Sequence, residues 1–330
     1  MPDARGPVAA CVFLVGSALL LTALAVTQPF ALASLAVVVL GPLHVVLATR
    51  YILGRSLPAL GGSTGGTLAL LVAAMVLVRI GAALVPTPGR YLELIGGCAV
   101  VGWALWKGLD ARRRVLGLAA VVALAAVSLL ELPWYWLFLT HGHNVVPVIF
   151  LWDWARRLHP GARLAFVGAN LVWASAIPAA VLSGWLDPLI GPTPPTVVTR
   201  FGNPTVLLAS ASPPGADPAL GLRFLVVFGL MQAMHYLLWM VFFQVAGRRE
   251  VTRFGDAFLR LRGWRFWVLG AGVSALVWAA YAIGYSDGRA AYGLLGDLNV
   301  YLEQPVAVWL LLTALPAAAT TRVVDDLRRT

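Results

Sequence analysis

Residues 8–26, VAACVFLVGSALLLTALAV, form an apolar run without a charged side chain. An α-helix rises about 1.5 Å per residue, so a run of this length crosses a hydrocarbon core about 30 Å thick. Comparable runs recur along the whole chain. The repetition predicts an all-α fold, a polytopic bundle of transmembrane helices.

The composition agrees with this class. Of the 330 residues, 60% are hydrophobic and 12% are charged, against roughly 25% charged in soluble domains. We expect a single integral membrane domain over residues 1–330 with about ten spans. The first run could also be a signal peptide cleaved after Ala23-Leu24-Ala25, although its length favours a retained span. The predicted spans are residues 8–27, 30–50, 67–86, 91–107, 115–139, 144–158, 164–186, 222–246, 266–285 and 300–320.

The basic residues indicate the orientation. The formal net charge is +10, but the arginines stand at the ends of apolar runs, not on one soluble face, which argues against nucleic acid as a partner. With the N-terminus inside, most of them fall on the inner side, as the positive-inside rule requires. The sequence therefore predicts cytoplasmic N and C termini. Its richness in Arg, Ala, Gly, Leu and Val suggests a bacterial cytoplasmic (inner) membrane.

Two connections are longer than the others. Residues 187–221, on the predicted outer side, contain eight prolines, so we expect no helix there. Thr196–Phe201 and Thr205–Ser210 suggest a weak hairpin, within either a lid over an outward-facing cavity or a plain tether. Residues 247–265, on the inner side, interleave arginines with aromatic residues and leucines. This pattern predicts an amphipathic helix lying on anionic lipids.

Ionisable residues inside spans are the candidates for function, because each costs about 2.5–3.5 kcal/mol near the membrane centre unless it finds a partner. His44 follows Gly41-Pro42, a pair that weakens the helical ladder and frees a carbonyl group beside the imidazole. His235 stands at a similar depth, about 20 Å by the helical rise. The two could share a site if their helices touch. Alternatively, each could be satisfied by a neighbouring carbonyl or hydroxyl group.

A second candidate is the pair His141 and His143, with Asn144 expected to cap the next span. An H-x-H turn can place two imidazole nitrogens on one ion, and Fe, Cu and Zn accept such ligands. No acidic or thiolate ligand follows at a recognised spacing, so an interfacial pair bonded to water is the alternative. The helical rise places this pair roughly 15–20 Å above the other two histidines. Two separate sites, or none, are therefore easier to build than a single four-histidine centre. The predicted metal ligands are His44, His141, His143 and His235.

Other polar residues within the predicted spans receive structural roles. Arg79 and Glu131 are expected to form a buried ion pair because they fall at similar depths. Asp153 can reach Arg156 or Arg157 along its own helix. Asn170 is expected to bond a neighbouring helix or His44. The complete set of intramembrane polar candidates is Arg79, Glu131, Asp153, Asn170 and Gln232.

The motifs that are absent narrow the function. The sequence has no P-loop, no H-E-x-x-H and no G-x-S-x-G motif, which argues against ATP-driven transport and simple proteolysis. The preferred hypothesis is a metal-binding, histidine-dependent membrane enzyme for a lipid-like or other apolar substrate. One alternative is a small-solute secondary transporter with two halves of five helices. Another is a non-catalytic membrane subunit or scaffold.

Overall fold

The computed structural model describes residues 5–58 and 63–327, and within these ranges it contains helices and no β-strand. The first half of the chain contains α1 (Arg5–Thr27), α2 (Pro29–Ser34), α3 (Gly41–Ser56), α4 (Ser63–Leu84), α5 (Pro86–Gly108), α6 (Ala111–Leu130), α7 (Leu132–His143) and α8 (Val146–Ala155). The second half contains α9 (Pro160–Leu171), α10 (Ile177–Leu182), α11 (Thr196–Phe201), α12 (Pro204–Ala211), α13 (Pro218–Leu237), α14 (Phe243–Ala246), α15 (Arg248–Ala257), α16 (Trp264–Ile283) and α17 (Tyr285–Leu327).

Seven helical stretches in the described part of the chain are long and apolar enough to cross a membrane. The all-α class and the integral membrane character predicted from hydropathy are thereby supported. Helix α13 and its continuation to Ala246 form the most buried of these stretches. A helix surrounded by other helices is hydrophobic on all sides, as this one is. The seven are Val8–Thr27, Pro29–Ser56, Ser63–Ala82, Ala111–Leu130, Pro160–Leu182, Pro218–Ala246 and Trp264–Ile283.

Three of these stretches contain a π-helical turn, at Leu35–Leu40, Val172–Ala176 and Leu238–Phe242. The π-helical turn at Leu35–Leu40 is followed directly by Gly41-Pro42. Pro42 has no N–H for the ladder, and the carbonyl group of Val38 accepts a hydrogen bond from the indole N–H of Trp278 instead. The first and third turns lie close in sequence to His44 and His235. Such turns are common at functional sites.

The predicted spans 115–139 and 144–158 are wrong at their boundary. Helix α6 ends at Leu130, and α7 begins at Leu132. Pro133 favours this break, because it has no N–H for the carbonyl group of Leu129 and is tolerated only in the first turn of the helix that follows. Glu131 consequently adopts φ −122° and ψ 54°. It is exposed at this break and does not lie inside a span.

The Pro-rich segment is helical where the sequence predicted none, so the hairpin is also wrong. Thr196–Phe201 and Pro204–Ala211 are the short helices α11 and α12. Pro204 stands at the first position of α12, where a missing N–H costs nothing, and the side chain of Asn203 caps it by accepting from the backbone N–H of Val206. The prolines therefore start helices here.

A salt bridge joins Asp187, the first residue of this segment, to Arg223 on α13. Arg223 donates from Nε to Oδ1 of Asp187 over 2.9 Å. The hydrogen bond holds the pKa of the Asp187 carboxyl below its ordinary value. Both groups are partly exposed, so solvent screens the pair and its contribution to stability is small.

The predicted amphipathic helix corresponds to α15, which buries Glu250, Phe254 and Gly255 and exposes most of its other side chains. It packs against α3, where Arg253 donates to the backbone carbonyl of Gly54. The contact with anionic lipids stays a prediction.

The close approach of α3 and α15 depends on Gly54, because a Cβ there would overlap the backbone carbonyl group of Glu250. We expect Gly54→Ala to lower the stability of the detergent-solubilised protein by about 1–3 kcal/mol, the usual cost of overpacking. Gly272→Ala is the matched control, since a Cβ at Gly272 meets nothing within 4 Å. Thermal unfolding measures both. Equal melting temperatures for the two variants would contradict the packing described here.

Candidate metal site

Four helices each contribute one side chain to a buried cluster of polar groups. His44 comes from α3, His143 from α7, His235 from α13 and Glu303 from α17. Ring centroids are 4.5 Å apart for His143 and His235, and 5.3 Å apart for His44 and His235. The cluster therefore joins residues that are far apart in the sequence.

A second layer of contacts shows that three of these helices are parallel. About ten residues after its histidine, each helix contacts its neighbour again. Arg55 on α3 donates to Asp153 on α8 over 2.7 Å, and the indole of Trp154 donates to the carbonyl of Ala246 on α14 over 3.1 Å. Ten residues span about 15 Å of helix, so the histidines lie in one layer and these contacts in the next.

Three of the four side chains have the spacing of metal ligands. One ligand atom each from His143, His235 and Glu303 lies within 4.8 Å of the other two. Oε2 of Glu303 is 3.8 Å from Nδ1 of His143 and 4.0 Å from Nε2 of His235. A tetrahedral ion with ligands at about 2.1 Å needs ligand atoms about 3.4 Å apart. A small inward rotation of the side chains would close the difference.

The hydrogen bonding of the cluster is incomplete within the protein. Among the described residues, Nδ1 of His143, both ring nitrogens of His235 and Oε1 of Glu303 have no hydrogen bond of ordinary geometry, although the indole of Trp239 lies near Glu303 and the backbone of His143 and Asn144 lies near the ring of His235. His235 and Glu303 are fully buried. Buried polar atoms without a partner are rare in native proteins because each costs about 1–3 kcal/mol. Two imidazoles and one carboxylate are ligands that zinc and iron accept, so these atoms fit a metal ion.

Glu303 is held in place by its own helix. The side-chain amide of Asn299, one turn earlier and fully buried, donates to Oε2 of Glu303 over 2.9 Å. A hydrogen bond of this kind orients a ligating carboxylate. The other carboxylate oxygen stays available to an ion.

His44 lies beside the three ligands but outside their set. Its Nδ1 donates to the backbone carbonyl of Gly41, as the Gly41-Pro42 sequence predicts, and the ring stacks on Tyr236 with centroids 3.8 Å apart. Donation from Nδ1 makes Nε2 the acceptor nitrogen of the neutral ring. Nε2 has no protein partner. His44 is thus positioned as a proton acceptor next to the cluster.

The predicted separation of the histidine pairs is wrong for His143. Because α7 begins at Leu132, eleven residues of helix carry His143 about 16 Å away from the break at Glu131. This brings it to the layer of His44 and His235. Asn144 follows the end of α7 and does not cap the next helix, which begins at Val146.

His141 does not join the cluster. Its Nε2 donates to the backbone carbonyl of Ala211 on α12 over 2.8 Å, and its ring meets Phe224 and Phe228 edge-on. Of the predicted H-x-H ligand pair, His143 therefore belongs to the cluster, and His141 instead binds the backbone of α12. Residues two apart on a helix point in different directions, which explains the division.

The expected Arg79–Glu131 ion pair does not form. Arg79 donates to Glu93 over 2.9 Å, and its Nε lies 3.0 Å from a carboxylate oxygen of Asp297. The hydroxyl of Tyr301 also donates to Glu93. Depth alone suggested Glu131, but α5 packs directly on α4 and provides Glu93.

Asp153 and Asn170 also differ from expectation in their main partners. Arg55 on another helix forms a two-pronged bond with Asp153, whereas Arg156 is 3.9 Å away and Arg157 pairs with Glu250.

Asn170 remains within its own helix. Its amide donates to the carbonyl of Phe166, and its oxygen accepts from the indole of Trp173. It bonds neither another helix nor His44.

A cavity of about 220 Å³ leads to the cluster. His44 and His143 line one part of it, and Gln232, one of the predicted intramembrane residues, lines it as well. Its other polar residues include Arg79, Arg289, Tyr292 and Asp297, and Ser210 of α12 lies at its border. The cluster is therefore next to a space large enough for a small chemical group.

Sequence reasoning missed the acidic members of this region, Glu93, Asp297 and Glu303. A signal was available, because Glu303 lies within the predicted span 300–320 and Glu93 within the predicted span 91–107. An acidic residue inside a span meets the same criterion that selected the histidines. The H-x-H pair needed a carboxylate that follows it by 160 residues, which no spacing motif describes.

We expect Glu303→Gln to abolish the stabilisation of the detergent-purified protein by added Zn²⁺ or Fe²⁺. In the wild type, a 100-fold excess of metal over its Kd should stabilise the folded state by about 2.7 kcal/mol. After treatment with a chelator, the variant should melt above the wild type, because it no longer buries an ionisable carboxyl without a cation.

Glu131→Gln is the matched control, since it removes an exposed carboxylate. Its response to metal should equal that of the wild type. A Glu303→Gln variant that metal still stabilises fully would exclude Glu303 as a ligand.

Comparison with known proteins gives no match to this chain among family models, curated proteins or solved structures. The residues that carry its function are therefore identified by geometry alone. The carboxylate–imidazole cluster and its cavity are the features from which a function follows.

Proposed function

We propose that the chain is a metal-dependent membrane enzyme acting on a lipid-like substrate, with His143, His235 and Glu303 as metal ligands. The observation that carries the proposal is the convergence of ligand atoms from His143, His235 and Glu303, on three helices, within 4.8 Å of one another. The carboxylate oxygen nearest the two imidazoles accepts a hydrogen bond from Asn299, which holds it towards them.

The ligand set favours particular metals. Two imidazoles and one carboxylate with an open position occur in catalytic zinc sites and in non-haem iron sites. Copper prefers ligands richer in nitrogen and sulfur, so Zn and Fe stand ahead of Cu. Such an ion supplies Lewis acidity and an activated water or oxygen position.

The protein contributes the acid–base group and the substrate space. Nε2 of His44 accepts a proton at the edge of the cavity, and the Gly41 carbonyl holds the ring. Val37 lines the cavity, while Val38 and Val39 line an apolar groove of about 430 Å³ beside α2. The cavity and the groove border different faces of one π-helical turn. An apolar groove of this size on the bundle suits the tail of a lipid-like molecule.

The two alternative functions, solute transport and a non-catalytic subunit, need different structural features. Solute transport needs a continuous path and flux across a vesicle membrane, and a non-catalytic subunit needs a protein partner. Neither requires a carboxylate and two imidazoles from three helices to converge within 4.8 Å. Protein that contains no metal and binds none when loaded would overturn the enzyme proposal and make transport the leading alternative.

Metal content measured by mass spectrometry tests the ligand assignment. We expect about one ion per chain in the wild type and loss of most of it in His143→Ala, His235→Ala and Glu303→Gln. His141→Ala is the matched control, because it removes an imidazole two residues from a ligand. It should retain the ion, and so should His44→Ala. Loss of metal in His141→Ala with retention in His143→Ala would reverse the assignment.

For the topology, we propose ten crossings with cytoplasmic ends. Three segments join the seven apolar stretches, namely α5, α7 together with α8, and the first part of α17. They are polar or interrupted because they carry Glu93, His143 and Glu303. The four helices of the metal site then all run from the outer to the inner side. Cytoplasmic α15 agrees with its exposed arginines.

Cysteine labelling tests this orientation in a Cys11→Ala, Cys98→Ala background. Thr193 in the Pro-rich segment and Arg249 on α15 are both exposed. A membrane-impermeant maleimide should label Thr193→Cys in intact cells and Arg249→Cys only after permeabilisation. The opposite pattern would invert the topology, and labelling of both in intact cells would contradict the crossings between them.

A further inference from the structure

The cavity beside the metal site contains two guanidinium groups that differ in their partners. Arg79 is engaged by Glu93 and Asp297. Arg289 forms no ion pair among the described residues, and its electrostatic neighbours are the hydroxyl groups of tyrosines, including Tyr236 and Tyr292. Arg289 therefore has a charge that no carboxylate contact of the described chain balances.

The two guanidinium groups face the same space. Arg289 and Gly293 are four residues apart on α17 and lie on one face of it. A Cβ at Gly293 would stand 3.0 Å from Nη2 of Arg79, so Arg79 reaches across the helix at a position where only glycine leaves room. Both arginines line the cavity.

The charges of the region balance only with an anion in place. Glu93, Asp297 and Glu303, when ionised, are opposed by Arg79, Arg289 and a divalent ion, which leaves a net charge of one positive unit. His44, His143, His235 and the tyrosines are neutral in this count. An excess positive charge in a partly enclosed cavity attracts anions, so the loaded site favours an anionic ligand.

We propose that this cavity binds a phosphate group, with Arg289 as its main protein contact and the metal site at its inner end. Guanidinium groups bind phosphate through two parallel hydrogen bonds. The hydroxyls of Tyr236 and Tyr292 hydrogen-bond to each other, which leaves one O–H of this pair as a further donor. The inference rests on the proposed function in one respect, since the metal ion contributes the excess positive charge. It narrows the substrate class to a molecule that carries phosphate.

The experiment measures binding of three probes to the full-length, detergent-purified, metal-loaded protein by calorimetry. The probes are a short-chain phosphatidic acid, inorganic phosphate, and the diacylglycerol that lacks the phosphate. We expect the phosphatidic acid to bind and the diacylglycerol to bind at least tenfold more weakly. If inorganic phosphate binds as tightly as the phosphatidic acid, the source of the group is a soluble phosphate; if it binds more weakly, the source is a lipid.

Three variants locate the site. Arg289→Gln should weaken binding of the phosphate probes about tenfold or more, the usual effect of a charge-assisted hydrogen bond. Arg289→Lys keeps the charge but not the paired donors, so it should fall between that variant and the wild type. Arg90→Gln is the matched control, because Arg90 is exposed and outside the cavity.

Metal content measured on the same samples separates this inference from the proposed function. Arg289→Gln should keep its metal and lose phosphate affinity. Phosphate binding that depends on Arg289 in protein that takes up no metal would support the cavity assignment and overturn the metalloenzyme. Equal phosphate affinity in wild type and Arg289→Gln, or no affinity of the wild type for either phosphate probe, would overturn the phosphate site.

Discussion

The carboxyl group of Glu303, buried beside imidazoles in an apolar interior, is the constraint on which the rest of the structure depends. A carboxylate in such a place costs several kcal/mol unless a proton or a cation compensates it. Arg79 is already engaged by two other carboxylates. Glu303 therefore has two stable forms, the protonated acid and the metal-bound carboxylate. The two ring systems beside it suit the second form, because neutral imidazole binds metal but cannot balance a charge.

The helices deliver these ligands by departing from regular geometry. Pro133 ends one helix and starts the next, and this places His143 deep in the bundle. Pro42 interrupts the ladder of α3 just before His44, and a π-helical turn follows His235. Each departure weakens a helix locally, and in a membrane the freed backbone groups need other partners. The indole of Trp278 and the ring of His44 provide two of them.

The membrane class was predictable because hydropathy is a local property that survives errors at the boundaries. The choice of His44, His143 and His235 as candidates followed on the same basis, since an ionisable residue in a span needs a partner. That these three side chains lie together in one cluster was only partly predictable. The depth of His143 depended on where a helix restarts, and Pro133 moved that point by enough residues to change its layer.

Side-chain partners were the least predictable part. Depth along a span suggested Glu131 for Arg79, but depth leaves open which helices are neighbours, and α5 and α17 supply Glu93 and Asp297 instead. The direction in which a side chain points from its helix was a second property that the sequence left open. His141 and His143 look equivalent in the sequence, yet they point to different neighbours, and only one reaches the ligand cluster.

The division between His141 and His143 also links the outer segment to the metal site. His141 holds the backbone of Ala211 on α12, and Ser210 of the same helix lies at the border of the cavity. Two residues further along α7, His143 faces Glu303. Helix α12 thus cannot leave the cavity without breaking the His141 bond or moving α7. Because α7 ends at His143, a movement of that helix would also move a member of the candidate cluster.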